Sequence, residues 1–383
     1  MPGTPKKINA LRILISILKQ GECNKKMFFS ISSNKENIST PFSHKHKLDN
    51  FVLSLDDGWH QHENIFYKGY CLEQRLDQKV LHNNFEEQSG NYLILDFSSN
   101  GCQLYYDNSR SFPMFFDKKT VTNFKDDTLT PVWFDGSVYY ENNQWHFKHR
   151  KENSVTYPGS HTSLNKQQIV DLWCDYLVRC CEQLETDLPI FCAASNGVDS
   201  LSIQSAFDYC GKEYILVNQT TSTKASLGWG YNQLFETSIP HVQATGFCGD
   251  ELLLRNPLYC QWLLDSRNID LTNEFDKTND SYMKPFFNKT YREKVKKNVN
   301  KISNFKEGYE LVANTSFNDY QMWHTDHTLT FTPYRNIEMA TKCLQADADT
   351  ILDQVIHAGT SNAIIKRLNP HNTKLLSKYK NNY

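Results

Sequence analysis

A short turn at residues 195–200, Ser-Asn-Gly-Val-Asp-Ser, combines residue types that can hold a phosphate together with a metal ion. It follows an apolar run at residues 188–194 and leads into a helical pattern, and a helix N-terminus attracts anions. Asp199 would repel a phosphate unless a divalent cation lay between them, so the turn predicts Mg²⁺ as a cofactor. The other polar or permissive residues of the turn are Ser195, Asn196, Gly197 and Ser200. The alternative is an ordinary strand-to-helix turn in which Ser or Asp caps the helix.

A second turn, residues 245–251, has the sequence Thr-Gly-Phe-Cys-Gly-Asp-Glu and lies about 50 residues further along the chain. The first turn resembles the S-G-G-x-D-S pyrophosphate loop of the ATP pyrophosphatase superfamily, with Asn196 in place of one glycine. The second resembles the S-G-x-G-(A/G)-D-E motif that distinguishes asparagine synthetases, β-lactam synthetases and their relatives. The resemblance to this synthetase family covers most of residues 27–383.

The resemblance implies a set of site residues and cofactors. Asp199 and Asp250 would hold Mg²⁺, Glu251 would join Asp250 in the catalytic set, and ATP would place its pyrophosphate in the first turn. Lys380 would be the catalytic lysine, with Lys378 as the second choice, although both lysines could belong to a solvated basic tail. The residues that would contact adenosine are Ala193, Val217, Thr245 and Gly246.

The elements that would position these residues follow an α/β pattern after Pro158. Apolar residues at three- and four-residue steps predict a helix over about 166–185. A strand at 188–194, a helix that stops at Gly211 and a strand at 214–217 follow with short connections. This order predicts a parallel sheet, and ligands bind beyond the carboxyl ends of such strands. The resemblance implies a doubly wound sheet of adenine-nucleotide alpha-hydrolase type.

Residues 27–157 instead show short β segments separated by turn residues. The clearest strands are residues 51–53, 92–95, 103–106 and 144–147. Asn100 and Gly101 predict a tight hairpin between the second and third of these strands. We therefore expect a mostly antiparallel half, and it resembles the family's glutamine-hydrolysing Ntn-hydrolase-like sandwich.

Residues that the family's chemistry needs are replaced in both halves. The amidotransferase uses a cysteine directly after the initiator Met, whereas Phe28 follows Met27. Phenylalanine cannot act as a nucleophile, so we expect no glutaminase activity. Cys23 could replace the missing thiol only if the chain were cleaved before it. In the second motif Phe247 and Cys248 replace an acidic residue and a glycine, which argues against conversion of aspartate to asparagine.

The composition of the chain limits the classes of function that it could have. The chain has 383 residues, of which 39% are hydrophobic, so two or three domains with real cores are expected. We place a basic arm at 1–26, an amidotransferase-like domain at 27–160 and a synthetase domain at 161–383. With 41 Lys and Arg against 43 Asp and Glu the net charge is -2, which argues against a nucleic-acid partner.

The same sequence gives expectations about compartment and metals. No apolar run approaches the roughly 20 residues of a membrane span. The 11 cysteines include no C-x-x-C pair, and the N-terminus has no signal-peptide pattern, which predicts reduced thiols in a cytoplasmic protein. We expect surface positions in polar loops for the histidines, because no cysteine partner lies at zinc spacing. These histidines are His44, His46, His60 and His62.

The leading hypothesis is an ATP-dependent, AMP-forming amide ligase. A substrate carboxylate would attack the α-phosphorus of ATP, and an amine would then displace AMP from the acyl-adenylate, assisted by Lys380. The expected partners are a small-molecule or peptide carboxylate and an amine, and a homodimer is one possible assembly. Two alternatives stay open: an ammonia-dependent asparagine synthetase-like enzyme, and a degenerate nucleotide-binding pseudo-enzyme.

Overall fold

The computed structural model describes segments of both halves of the chain. The described residues are 29–33, 44–48, 51–55, 59–98, 101–108, 112, 114–123, 128–132, 136–149, 163–186, 188–194, 197–217, 241–246, 248–255, 260, 264, 268–277 and 329–376. The predictions for residues 1–28, which include Cys23, Met27 and Phe28, therefore lie outside the described residues.

The described part of the N-terminal half consists mostly of antiparallel strands, as predicted. In chain order the strands are β1 (Phe29–Ser32), β2 (His44–Leu48), β3 (Phe51–Leu55), β4 (His60–His62), β5 (Ile65–Cys71), β6 (Gly90–Asp96), β7 (Gln103–Tyr106), β8 (Met114–Phe116), β9 (Thr120–Thr122), β10 (Thr130–Val132), β11 (Gly136–Glu141) and β12 (Gln144–His149). One sheet has the order β10-β8-β9-β1-β3-β2, another has the order β4-β5-β6-β7, and β11 pairs with β12. Asp96 of β6 lies opposite Gln103 of β7, which confirms the predicted strand pairing.

The β4–β7 sheet is buried on both faces because β6 alternates between two cores. Leu93 and Leu95 belong to the main hydrophobic core, whereas Tyr92 and Ile94 pack in a smaller cluster with helix α1 (Leu76–Leu81). Successive side chains of a strand lie on opposite faces, so one apolar strand can serve two cores.

The histidine pairs lie in strands β2 and β4, so their predicted loop positions are wrong. Pairing with the apolar strands β3 and β5 decides the conformation of these polar segments, which composition alone could not indicate. His46 packs its ring 4.8 Å from that of Phe66, and burial lowers the pKa of this histidine. Within the described part of the chain, no group of three or more His, Cys, Asp or Glu side chains could hold a metal ion.

Helices and a small parallel sheet form the described part of the C-terminal half. The helices are α2 (Lys166–Gln183), α3 (Val198–Cys210), α4 (Gly249–Leu252), α5 (Leu271–Lys277), α6 (Ile337–Cys343), α7 (Ala348–His357), α8 (Gly359–Leu368) and α9 (Thr373–Leu376), with a 3-10 turn at Pro370–Asn372. The strands are β13 (Ile190–Ala193), β14 (Ile215–Val217), β15 (Val242–Ala244) and β16 (Leu329–Phe331). They form a parallel sheet in the order β14-β13-β15-β16. The chain is therefore mixed α/β, with its antiparallel sheets in the N-terminal half.

Helices α2 and α3 form where the periodicity predicts them. Asn165 and Gln168 make a reciprocal capping box at the start of α2, with both hydrogen bonds 3.0 Å long. α3 ends at Gly211, whose φ of 67° suits glycine. Among the helices that the structure describes, none is long and apolar enough to cross a membrane.

One hydrophobic core connects the two halves. The ring of Tyr70 in β5 lies 5.7 Å from that of Phe331 in β16, and Phe331 lies 5.1 Å from Phe207 in α3. α8 packs against both α2 and α3. The parallel sheet is therefore anchored to the antiparallel half at the strand that neighbours the second motif.

Candidate functional site

The parallel sheet has a topological switch point between β13 and β15. The chain passes from β13 to β14 on one side of the sheet and then returns to β15 on the other side of β13. In open α/β sheets, ligands bind beyond the carboxyl ends of the strands at such a point. Both sequence motifs come after strands that end at this edge: residues 195–200 follow β13 in the sequence, and residues 245–251 follow β15.

Three of the four residues predicted to contact adenosine mark the carboxyl ends of adjacent strands. Ala193 lies opposite Val217 in the β13–β14 pair, and Thr245 directly follows β15. Ala193 is buried, and its carbonyl oxygen accepts a hydrogen bond of 2.9 Å from Gln204 Nε2. Thr245 N donates to Phe331 O at 3.0 Å. The sheet thus brings these residues to one edge, as the strand pattern predicts.

Asp199 lies in the first turn of α3. Gly197 directly precedes the helix; its backbone is extended, and it has no side chain that could cap the helix. Asp199 is the second residue of α3. A carboxylate in the first turn interacts favourably with the helix dipole. Ser200 is half-buried beside Asp199, whereas Ser195 and Asn196 lie outside the described residues.

The second motif packs directly against Asp199. A Cβ atom placed on Gly246 would lie 2.6 Å from the carbonyl carbon and from Cβ of Asp199. A Cβ atom placed on Gly249 would lie 2.6 Å from Asp199 Cγ and Oδ1. Real Cβ atoms do not approach other atoms so closely, so both positions need glycine. The two motifs, distant in sequence, therefore form one site.

Cys248 adopts the left-handed backbone conformation, with a φ of 64°, immediately before α4. The resemblance places a glycine here, and cysteine keeps the glycine-like backbone at a cost of about 1 kcal/mol. Asp250 and Glu251 lie in α4 directly after Gly249, the residue that packs against the Asp199 carboxylate. The structure does not describe the side chains of Asp250 and Glu251.

Arg255 forms an ion pair with Asp199, which the motifs did not predict. Its Nη2 atom donates to Asp199 Oδ2, and the two side chains are 10% and 16% exposed. Asp199 Oδ1 is buried and has no hydrogen-bond partner among the described residues. Burial raises the pKa of Asp199, and the positive charge of Arg255 opposes that shift. One carboxylate oxygen is thus neutralised by Arg255, and the other is buried beside Gly249 without a hydrogen-bond partner among the described residues.

Two further side chains fix the start of α3. Ser202 Oγ donates to the carbonyl oxygen of Asp199 at 2.7 Å, and the same hydroxyl bonds to Tyr334 OH. A serine has one hydroxyl hydrogen, so Tyr334 is the donor in its bond to Ser202. Tyr334 is fully buried, its ring lies 4.9 Å from that of Trp173, and burial raises the pKa of its phenol.

Gln354 fixes the turn that carries Arg255. Its Nε2 atom donates to Leu253 O at 2.8 Å and to Ser361 Oγ at 2.8 Å. Its Oε1 atom accepts from the backbone nitrogen of Thr360 at 2.9 Å. A buried amide that uses both of its ends in this way holds the backbone two residues before Arg255 in place.

Arg255, Ser202 and Gln354 were not predicted from the sequence. Arg255 ends an apolar run after the second motif, and a single charged residue at such a boundary could have signalled a buried ion pair. Ser202 and Gln354 lie on helices without any local pattern that marks them. The predicted catalytic residue Lys380 and its alternative Lys378 lie outside the described residues.

Of the two residues predicted to hold Mg²⁺, the structure describes one side chain. Asp199 has a carboxylate oxygen without a partner among the described residues, and carboxylate oxygens are the ligands that Mg²⁺ prefers. The side chain of Asp250, the predicted second ligand, is not described.

The N-terminal half contains a different polar cluster around Lys79, which is fully buried. Lys79 Nζ donates to Glu86 O at 2.7 Å and to Gln88 Oε1 at 2.9 Å, and it lies 5.5 Å from the centre of the Tyr92 ring. Cys71 Sγ lies 3.1 Å from the same Gln88 oxygen. Burial raises the pKa of Cys71 to about 11 and lowers that of Lys79.

Comparison with known proteins does not identify a family for this chain. No protein-family model matches the chain, and no curated protein matches it significantly.

Proposed function

We propose that this chain is an ATP-dependent, AMP-forming ligase that activates a carboxylate and joins it to an amine. The observation that carries the proposal is the packing of Gly246 and Gly249 against Asp199 at the switch point of the parallel sheet. A chance similarity of two short motifs would not require them to meet. Their contact supports the resemblance to the synthetase family, and with it a sheet of adenine-nucleotide alpha-hydrolase type.

In this proposal the protein acts mainly by positioning. The first turn of α3 binds the pyrophosphate group of ATP, Ala193 and Val217 border adenosine, and Asp199 with Asp250 holds Mg²⁺. Bound there, Mg²⁺ would neutralise charge on the phosphate oxygens. Ser202 and Tyr334 keep Asp199 at a fixed position before any ligand arrives. Lys380 would then stabilise charge that develops as the amine attacks.

The antiparallel half is proposed to be a scaffold of Ntn-hydrolase-like type without glutaminase activity. The thiols in its described part are Cys71 and Cys102, which are both buried. Burial raises the pKa of each, so neither is a ready thiolate nucleophile. Phe28, after Met27, supports the same proposal. The amine would therefore be taken up from solution or belong to the substrate itself.

A pseudo-enzyme is the second candidate, and the Arg255–Asp199 pair is the observation that favours it. A guanidinium bound to the predicted metal ligand could allow the chain to hold an anion without chemistry. Exchange of labelled pyrophosphate into ATP separates the two candidates, because only a chain that forms an adenylate supports exchange.

The experiment measures this exchange over a panel of carboxylates with the wild-type chain. At least one carboxylate is expected to stimulate exchange, and Asp199→Asn should abolish it. Asp171→Asn is the matched control, since Asp171 forms an exposed ion pair with Arg367. Lys380→Ala should retain exchange but form product roughly a hundredfold more slowly. Absence of exchange with every carboxylate would favour the pseudo-enzyme.

A further inference from the structure

Arg255 brings a permanent positive charge into the candidate site. It lies outside both motifs, its side chain is 10% exposed, and it contacts Asp199 Oδ2. Because guanidinium stays protonated at any ordinary pH, this charge is present whenever the protein is folded. Gln354 holds the preceding turn through Leu253 O, so the position of Arg255 is set by the fold.

The position of Arg255 has opposite consequences for cations and anions. A divalent cation approaching Asp199 meets a carboxylate that already has one oxygen bound to a guanidinium, and it is repelled by that guanidinium. An anion that approaches the first turn of α3 is attracted by the helix N-terminus and by a guanidinium, and the pairing of that guanidinium with Asp199 offsets the repulsion from the Asp199 carboxylate. Guanidinium groups also bind phosphate oxygens in a paired, planar geometry.

We propose that Arg255 determines the ionic specificity of this site, so that it favours a polyphosphate anion and disfavours a divalent cation that arrives alone. The inference rests on the proposed function only in the choice of polyphosphate as the anion. Arg255 thus binds the anion directly and, through its contact with Asp199, opposes the binding of a cation in the absence of the anion.

The test uses two simple probes and the full chain. Calorimetry measures inorganic pyrophosphate binding without metal, and electron paramagnetic resonance measures Mn²⁺ binding without anion. Arg255→Met should weaken pyrophosphate binding at least tenfold and strengthen Mn²⁺ binding at least tenfold. A residue with only a structural role would weaken both. Arg255→Lys keeps the charge without the planar group and should give intermediate pyrophosphate affinity.

Arg367→Met is the matched control, because Arg367 forms an exposed pair with Asp171 and should affect neither probe. Asp199→Asn provides a second test if Arg255→Met does not fold. This variant removes the carboxylate charge but keeps the Arg255 guanidinium, so metal-free pyrophosphate binding should be retained or tightened. The proposal is overturned if Arg255→Met binds pyrophosphate like the wild type, or if Asp199→Asn loses pyrophosphate binding.

These results are independent of the adenylation assay. If pyrophosphate and Mn²⁺ respond as expected but no carboxylate supports exchange, the ionic specificity stands and the ligase does not. If exchange occurs and Arg255→Met changes neither probe, the ligase stands and the role of Arg255 does not.

Discussion

Each half of the molecule buries a charged side chain, and the two are satisfied differently. Lys79, in the antiparallel half, donates to Glu86 O and to Gln88 Oε1, and it faces the ring of Tyr92. Asp199, at the parallel sheet, has one oxygen bound to Arg255 and one buried oxygen without a partner among the described residues. We call the Lys79 cluster closed because the protein itself satisfies the buried charge. The Asp199 pair is open because one carboxylate oxygen has no partner among the described residues.

This difference separates a structural role from a functional one. A closed buried network stabilises the fold and has little capacity left for a ligand. A buried polar atom without a partner destabilises the protein unless a ligand, ion or water satisfies it. Both halves therefore bury charge, but only the parallel half is expected to bind something with it.

The largest effect is expected from Lys79→Met. This change leaves two acceptors without their donor and should lower the free energy of unfolding by about 2–4 kcal/mol, measured by denaturant titration. Pyrophosphate affinity of the folded protein should not change. Lys342→Met is the control, since Lys342 forms an exposed pair with Glu338 that is worth less than about 0.5 kcal/mol. A loss of pyrophosphate affinity in Lys79→Met would break the comparison.

Gly249→Ala should destabilise the protein less than Lys79→Met does, and it should weaken MgATP binding more. The new methyl group would displace the Asp199 carboxylate, lowering the free energy of unfolding by about 1–3 kcal/mol and MgATP affinity at least tenfold. Gly101→Ala is the matched control in the antiparallel half, because no atom lies within 4 Å of its added Cβ. Unchanged MgATP affinity in Gly249→Ala would show that the second motif does not shape the site.

Tyr334→Phe is expected to have a smaller effect. Ser202 loses the hydrogen bond that it accepts while keeping the bond that it donates to Asp199 O, so stability should fall by about 1 kcal/mol. Thermal unfolding measures the change, with Tyr139→Phe as an exposed control. If the two variants unfold alike, Tyr334 does not hold α3 through its hydroxyl.

The smallest difference concerns thiol reactivity. A hydrogen bond from Cys181 lowers the pKa of Cys210, which is partly exposed, whereas burial raises that of Cys71 to about 11. Thiolates react with iodoacetamide, so Cys210 should be alkylated at pH 8 while Cys71 reacts only after unfolding. Peptide mass spectrometry measures both sites in one sample. Equal labelling of the two in the native protein would contradict the closed state of the Lys79 cluster.

The sequence by itself determined much of the local structure. The apolar period of residues 166–185 predicted α2, Gly211 predicted the end of α3, and alternation with turn residues predicted the antiparallel half. These features depend on neighbouring residues, so they can be read from short windows. The glycines and acidic residues of the two motifs could be identified for the same reason.

Only the tertiary structure decided which charges meet. The contact of Arg255 with Asp199 joins residues 56 positions apart, and Gln354 reaches Leu253 across 101 positions. No local pattern marks such partners, because an ion pair or an amide contact requires only complementary groups that the fold brings together. The same reason explains His44 and His60, whose polar segments became strands through pairing with apolar neighbours.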